Sequence, residues 1–305
     1  MLGQLHGIIP PLVTPFTARG DIDEEALRSE LVYMLEAGVH GITVTGSTGE
    51  GHTLSIEESC LVARIAIEEV AGRVPVISGI IGDSTREVIE YGRALKDEGV
   101  DALQITPVHY LFTPGEEGTL RYYADIGGAV RLPIVIYNVV PWNTISVSTL
   151  MKLGEQQWII GVKQSGGDIH KLADLLREVR SSGSVLRILS AIDALLFPSF
   201  VMGAHGAIAA LLTVLPHQSV ALWNACSSGD MERARQLHER MLPVWRLVEA
   251  SGDMNSRIKA GLEVQGRRGG VARAPLLPVR SEVYSELRAA INASGERDAS
   301  LAVGN

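Results

Sequence analysis

The sequence predicts an α/β fold, a (β/α)8 TIM barrel followed by a C-terminal helical extension, and two observations carry that expectation. First, one helix-to-strand joint recurs in Glu36-Ala37-Gly38-Val39-His40-Gly41-Ile42, Asp97-Glu98-Gly99-Val100-Asp101-Ala102-Leu103 and Val201-Met202-Gly203-Ala204-His205-Gly206-Ala207-Ile208. In each, a glycine past the helix end takes the left-handed conformation that stops the helix, and the chain enters a buried strand at once. Parallel strands alternating with crossover helices are joined in this way. Second, eight short apolar runs suit strands, near 8–13, 39–45, 75–80, 100–106, 133–137, 159–163, 186–190 and 205–210. Eight parallel strands close a barrel.

Taken in order, the run from Gly7 to Val13 ends in Thr14-Pro15-Phe16. Asp21-Ile22-Asp23 then precedes apolar residues at helical spacing from Ala26 to Leu35, which is strand, loop and capped helix. Ser55 with Glu58, and Ser84 with Glu87, have the spacing of a capping box. Ile169 to Arg180 is amphipathic, and Asp193 stands where it would cap the next helix. From about Pro216 the alternation stops and the chain reads as helical, apart from a loop-like stretch from Gly266 to Pro278. The barrel is therefore assigned to residues 1–224 and a helical domain to 225–305, with the residues after Ser294 frayed.

Composition narrows the function. The 305 residues are 46% apolar and 20% charged, enough for a large core. A net charge of −8 argues against nucleic acid or an anionic membrane as partner. Neither a signal-peptide pattern nor an uncharged apolar run of about 18 residues is visible, so a soluble cytoplasmic protein is expected. Cys60 and Cys226 lie far apart without a CxxC neighbour and read as buried thiols in a reducing compartment, a disulfide being the alternative. His40, His52, His109 and His205 lack the paired spacing of a metal helix, so no metal is expected. The glycines from Gly79 to Gly82 do not fit a dinucleotide fingerprint.

One lysine stands out. Trp158-Ile159-Ile160-Gly161-Val162-Lys163-Gln164-Ser165-Gly166-Gly167 places an ammonium group at the end of a buried strand, just before a glycine turn. Burying that charge costs several kcal/mol unless it is paired or loses its proton. Lowering the pKa from ~10.4 to about 7 needs about 4 to 5 kcal/mol, which desolvation can supply. The product is a neutral amine, the nucleophile that condenses with a ketone to a Schiff base. The alternative is a lysine that snorkels to the surface. Lys96, Lys152, Lys171 and Lys259 sit in charged or helical contexts, which leaves Lys163 as the exception.

A barrel's active site lies at the carboxyl ends of its strands. The second strand delivers Thr45-Gly46-Ser47-Thr48-Gly49-Glu50, whose close-approaching backbone and hydroxyls suit a carboxylate, although such loops are often plain turns. The fourth delivers Ile105-Thr106-Pro107-Val108-His109-Tyr110. The fifth delivers Tyr137-Asn138, then Val139-Val140-Pro141-Trp142-Asn143-Thr144; Tyr137 either relays protons to the Lys163 site or is a core tyrosine with one hydrogen bond.

Jointly, Thr45 to Glu50, Thr106-Pro107 with its following tyrosine, Tyr137-Asn138-Val139, Gly161-Val162-Lys163 and the opening Val13-Thr14-Pro15-Phe16 resemble, in order and spacing, the dihydrodipicolinate synthase / N-acetylneuraminate lyase family. The resemblance covers nearly the whole chain. It implies a (β/α)8 barrel, commonly a homotetramer, that forms a lysine Schiff base with pyruvate or a related 2-oxo acid and needs no metal or other cofactor. Position by position, it makes Lys163 the Schiff-base lysine, Tyr137 the proton-transfer residue and Ser47 the relay hydroxyl. Thr48, with Gly46 in the same loop, would bind the 2-oxo acid carboxylate, and Ile208 would line the pocket. Tyr110, or alternatively His109, would be the residue that crosses to a neighbouring subunit.

The match breaks after the fifth strand. Synthases in the family carry an arginine there that grips the aldehyde's carboxylate; here Asn143 stands roughly in its place, one residue later, beside Trp142. Losing a charge-assisted contact removes about 1.5 to 3 kcal/mol of carboxylate binding. The leading expectation is a lyase or aldolase acting on a 2-oxo acid and an aldehyde or sugar acid. The alternatives are a 2-oxo-3-deoxy sugar acid dehydratase on the same scaffold, a non-catalytic 2-oxo acid sensor, and a true 4-hydroxy-tetrahydrodipicolinate synthase of lysine biosynthesis.

Overall fold

The computed structural model describes residues 5–296. Parallel strands β1 (Gly7–Ile8), β2 (Ile42–Val44), β3 (Val76–Ile80), β4 (Ala102–Ile105), β5 (Ile134–Asn138), β6 (Ile159–Gln164), β7 (Arg187–Ser190) and β8 (Gly206–Ala207) run in the order β1-β8-β7-β6-β5-β4-β3-β2. The ring closes through a parallel bridge between Pro11 and Thr43, with the Leu12 N–H donating to the Thr43 carbonyl at 2.8 Å. The first strand is shorter than the run 8–13 suggests because Pro10 and Pro11 have no N–H to continue the ladder.

Helices α1 (Glu24–Glu36), α2 (Ile56–Val70), α3 (Thr85–Asp97), α4 (Gly115–Val130), α5 (Val147–Leu153), α6 (Ile169–Ser182), α7 (Leu196–Val201), α8 (Leu211–Val214) and α9 (Pro216–Ser228) follow the strands. The three recurring joints turn on Gly38, Gly99 and Gly203 at φ of 77°, 90° and 97°, the left-handed region their glycines were read to occupy. Ser55 and Glu58 form the complete capping box of α2. At α3 only half of the expected box forms, since Ser84 accepts the Glu87 N–H while the Glu87 carboxylate takes the N–H of Asp83 instead.

Asp193 does not cap a helix. It opens a 3-10 turn (Asp193–Leu195) ahead of α7, and its carboxylate accepts the Leu211 N–H at 2.7 Å, bridging two neighbouring strand-end loops.

Two apolar layers result. Inside the barrel Leu5, Ile9, Ile77, Val135, Leu189 and Ile208 form a small closed core. A larger one lies between strands and helices and continues under the extension, α10 (Met231–Glu249), α11 (Met254–Glu263) and α12 (Ser281–Ser294). The division expected after residue 224 falls inside α9. Gly295 and Glu296 are not frayed: the buried Glu296 carboxylate accepts the His217 and Gln218 N–H groups at 2.9 and 3.0 Å. Residues 297–305 lie outside the described residues.

The extension is tied to the barrel through charge. The buried Arg267 guanidinium pairs with Glu30 of α1, donates to the carbonyls of Thr213 and Val214, and lies 4.2 Å from the Tyr33 ring centroid. Arg267→Ala is expected to lower unfolding stability by about 3–5 kcal/mol, because it strands a buried carboxylate; thermal or urea denaturation measures this.

Cys60 and Cys226 are free and half-buried, not fully buried. Among the described residues no helix is long and apolar enough to cross a membrane, and no cluster of His, Cys, Asp and Glu could hold a metal ion.

Candidate active site

The β5–β6 register pairs Tyr137 with Lys163, so both side chains leave adjacent strands at the same level. Lys163 is 4% exposed, and its Nζ lies 3.7 Å from the Tyr137 ring centroid. It does not snorkel into solvent. Burial pushes the amine down to about 7, opposed by the nearby Asp193 carboxylate. The ring face also favours the ammonium, but a single cation–π contact of about 0.5–2 kcal/mol is weaker than the desolvation of a fully buried charge.

Burial likewise raises the Tyr137 hydroxyl to about 12, offset in part by a hydrogen bond with Ser47. Asp193 is pushed up to about 6 by burial, against the Leu211 N–H and the charge of Lys163. Burial thus holds back ionisation of both the amine and the carboxyl, while each charge, once formed, favours the other.

These groups border a cleft of about 440 Å³ that Ser47, Thr48 and Ile208 also line. After β6 the wall continues through Ser165, Gly166 and Gly167; Trp245 and Glu249 of α10 and Met254 of α11 close the far side.

The loop that carries Ser47 and Thr48 is under backbone constraint. Thr45 and Glu50 both have left-handed φ, 55° and 54°. The chain doubles back so tightly that a Cβ at Gly51 would overlap the Thr45 carbonyl. The Thr45 hydroxyl is anchored to Ser78 at 2.8 Å and to the Gly79 carbonyl at 2.9 Å.

Not every expected residue reaches this cleft. Gly46 packs behind it, where its Cα approaches Gly79. The Asn143 amide, expected beside the second substrate, instead donates to the Val108 carbonyl at 2.7 Å. Trp142 is 63% exposed and donates to the His109 carbonyl at 2.9 Å. Together these two side chains clip the β5 loop to the β4 loop. His109 is held by Asp83, with Nδ1 3.0 Å from Oδ1, and Tyr110 is 67% exposed and outside the cleft of its own chain.

Burial alone does not single out Lys163. Lys259 is 2% exposed, but its Nζ is compensated by Glu50 Oε1 at 2.6 Å and by the carbonyls of Thr14 and Val271 at 2.7 and 2.6 Å. What distinguishes Lys163 is burial beside an open cleft.

Sequence reasoning placed Asp193 as a cap and missed it as a wall of the site, although its position just past the seventh strand is the signal that could have found it. Trp245, Glu249 and Met254 carry no local signal, since a helical pattern does not say which barrel mouth it covers.

Comparisons with known proteins bear on the family and the fold. Residues 4–294 match the model of the dihydrodipicolinate synthetase family. A 4-hydroxy-tetrahydrodipicolinate synthase of Methanopyrus kandleri is 38% identical over 291 residues, 93% of this chain and 95% of that protein. The crystal structure of YagE from E. coli K12 in complex with pyruvate superposes with a TM-score of 0.90 at 28% identity, covering 95% of this chain and 98% of that one. CdNal from Clostridium difficile in complex with mannosamine gives 0.86 at 25% identity, over 94% and 98%.

Proposed function

The chain belongs to the dihydrodipicolinate synthetase family, and from that premise we propose that this lyase forms an imine between Lys163 and pyruvate or a related 2-oxo acid, then makes or breaks the adjoining C–C bond. One observation carries the reading: a buried amine shifted to about 7 stands on a tyrosine that hydrogen-bonds a serine, at the floor of an open cleft. The neutral amine attacks the ketone carbon. The carbinolamine oxygen must leave as water, and the Tyr137 and Ser47 hydroxyls stand in line to move the protons that this needs. Ser47 and Thr48 offer hydroxyls and backbone N–H groups to the carboxylate. The protonated imine is itself the electron sink for the C–C step, so the chemistry as proposed calls for no cofactor or metal.

For the second substrate, no arginine and no lysine besides the imine-forming Lys163 lines the cleft among the described residues, whereas the carboxyl side chains of Asp193 and Glu249 do. With the Asn143 amide committed to Val108, these features favour a hydroxylated aldehyde or the corresponding sugar acid over an aldehyde bearing a carboxylate. The naming of the Methanopyrus relative favours a second reading, synthesis of 4-hydroxy-tetrahydrodipicolinate. A pyruvate-consumption screen across both aldehyde classes separates the two. The exposed Tyr110, Leu111, Phe112 and Trp142 support association of copies, tetrameric as in the family.

The test of the imine needs no second substrate. In D2O the enzyme is expected to exchange the methyl protons of pyruvate through the enamine, followed by loss of their NMR signal; an exchange rate equal to that of buffer would overturn the proposal. The exchange rate should rise with pH through about 7, because the ammonium present below that value cannot attack. Since the Asp193 carboxylate holds the Lys163 pKa up, Asp193→Asn should move this limb to lower pH.

A further inference from the structure

We propose that Asn255 and Lys259, one turn apart on α11, are positioning residues that hold the Ser47–Glu50 loop in its carboxylate-binding shape, so that the C-terminal extension sets the affinity for the 2-oxo acid. The inference rests on the reading that this loop receives that carboxylate. Asn255 Nδ2 donates to the Ser47 carbonyl at 3.0 Å. Lys259 Nζ lies 2.6 Å from Glu50 Oε1, and Glu50 Oε2 accepts the Arg273 N–H at 2.8 Å. The extension therefore grips both ends of a four-residue segment, while neither Asn255 nor Lys259 lines the cleft.

Two physical arguments give these contacts a purpose beyond packing. A peptide group is planar and trans, so its C=O and N–H point in opposite directions. Drawing the Ser47 carbonyl toward α11 therefore directs the Thr48 N–H away from α11 and fixes the orientation of the donor offered to a carboxylate. In addition, left-handed φ at Thr45 and Glu50 is unfavourable for residues with a Cβ, and such conformations persist only when the surroundings over-determine them. The Asn255 amide and the Lys259–Glu50–Arg273 cluster provide that constraint, joined by the Arg273 guanidinium, which binds Glu58 at 2.6 Å and the Gly20 carbonyl at 2.7 Å. Relaxing the loop would leave the amine and the Tyr137 ring in place, degrade the carboxylate seat, and to a smaller extent disturb the Ser47 hydroxyl that meets Tyr137.

The test uses the full-length chain and two readouts, the Kd of pyruvate by calorimetry in a Lys163→Ala background, where no imine forms, and the pyruvate dependence of borohydride trapping with Lys163 present. Asn255→Ala is expected to weaken pyruvate binding and raise the half-saturating concentration by about 10-fold, with a smaller fall in the maximal trapping rate through Ser47 and a pH limb still near 7. Lys259→Met should do more, and Lys259→Arg should restore part of the loss. Should Lys259→Met not fold, Asn255→Ala decides alone. A lower melting temperature with unchanged Kd and half-saturation would overturn the proposal and leave these residues merely structural. If the parent chain is not trapped at all, the imine reading has failed; the calorimetric comparison still judges the loop, since an equal Kd refutes it and a weakened one upholds it.

Discussion

Replacing Lys163 with alanine is expected to abolish covalent trapping and reduce turnover by about 10^4- to 10^6-fold, the scale seen when a nucleophile is removed from a machinery that acts as a unit. The same substitution should not unfold the protein. Holding the ammonium form of Lys163 in its buried site is unfavourable by about 5 kcal/mol, as its displacement from 10.5 to about 7 implies. Lys163→Met, which keeps most of the side-chain volume, is therefore expected to be equally inactive and to melt at a higher temperature. The sign with pH follows from proton counts. Below about 7 both folded and unfolded chains carry the proton and the wild type bears the full burial cost. Between about 7 and 10.5 only the unfolded chain does, so wild-type stability rises through that window and the advantage of the methionine variant shrinks. Parallel melts at pH 6 and pH 9, with turnover assays, check both halves. An inactive variant that is also unfolded at pH 6 would contradict the account.

Tyr137→Phe should give the second-largest effect, a loss of about 10^2- to 10^4-fold in pyruvate methyl exchange. Phenylalanine keeps the ring beneath the Lys163 amine, so the geometry survives and only the hydroxyl is lost. Stability should change by about 1 kcal/mol, the value of one hydrogen bond to Ser47. Adduct formation should still occur, slowly, which separates a relay residue from the nucleophile. If exchange remains within a few-fold of wild type, Tyr137 is a core tyrosine and the relay assignment fails.

Much of this was legible in the residues because barrels expose chemistry at strand ends. The glycine joints at Gly38, Gly99 and Gly203 set the strand rhythm, and the strand-end rule places Ser47, Tyr137 and Lys163 at one mouth of the barrel. Local pattern failed where partner choice is tertiary. Asp193 has the local look of a cap, yet its carboxylate reaches the N–H of Leu211, eighteen residues on in the chain. Asn143 stands near the position of a lost arginine, but with a free carbonyl of Val108 within reach its amide turns away from the cleft. Lys259 reads as an ordinary helical lysine, because nothing nearby in sequence reveals Glu50 or the carbonyl of Thr14. Glu249 and Trp245 were invisible for the same reason: a helix pattern shows which face is apolar, not which cleft it roofs.

The most direct measurement is peptide mass spectrometry after incubation with pyruvate and sodium borohydride. The peptide containing Lys163 should gain the mass of one reduced pyruvate adduct, at that residue, with the label reduced at pH 5 and absent from Lys163→Ala. An unmodified Lys163 peptide at saturating pyruvate and pH 8, where the amine is neutral, or the same labelling in Lys163→Ala, would contradict the imine on which the account depends.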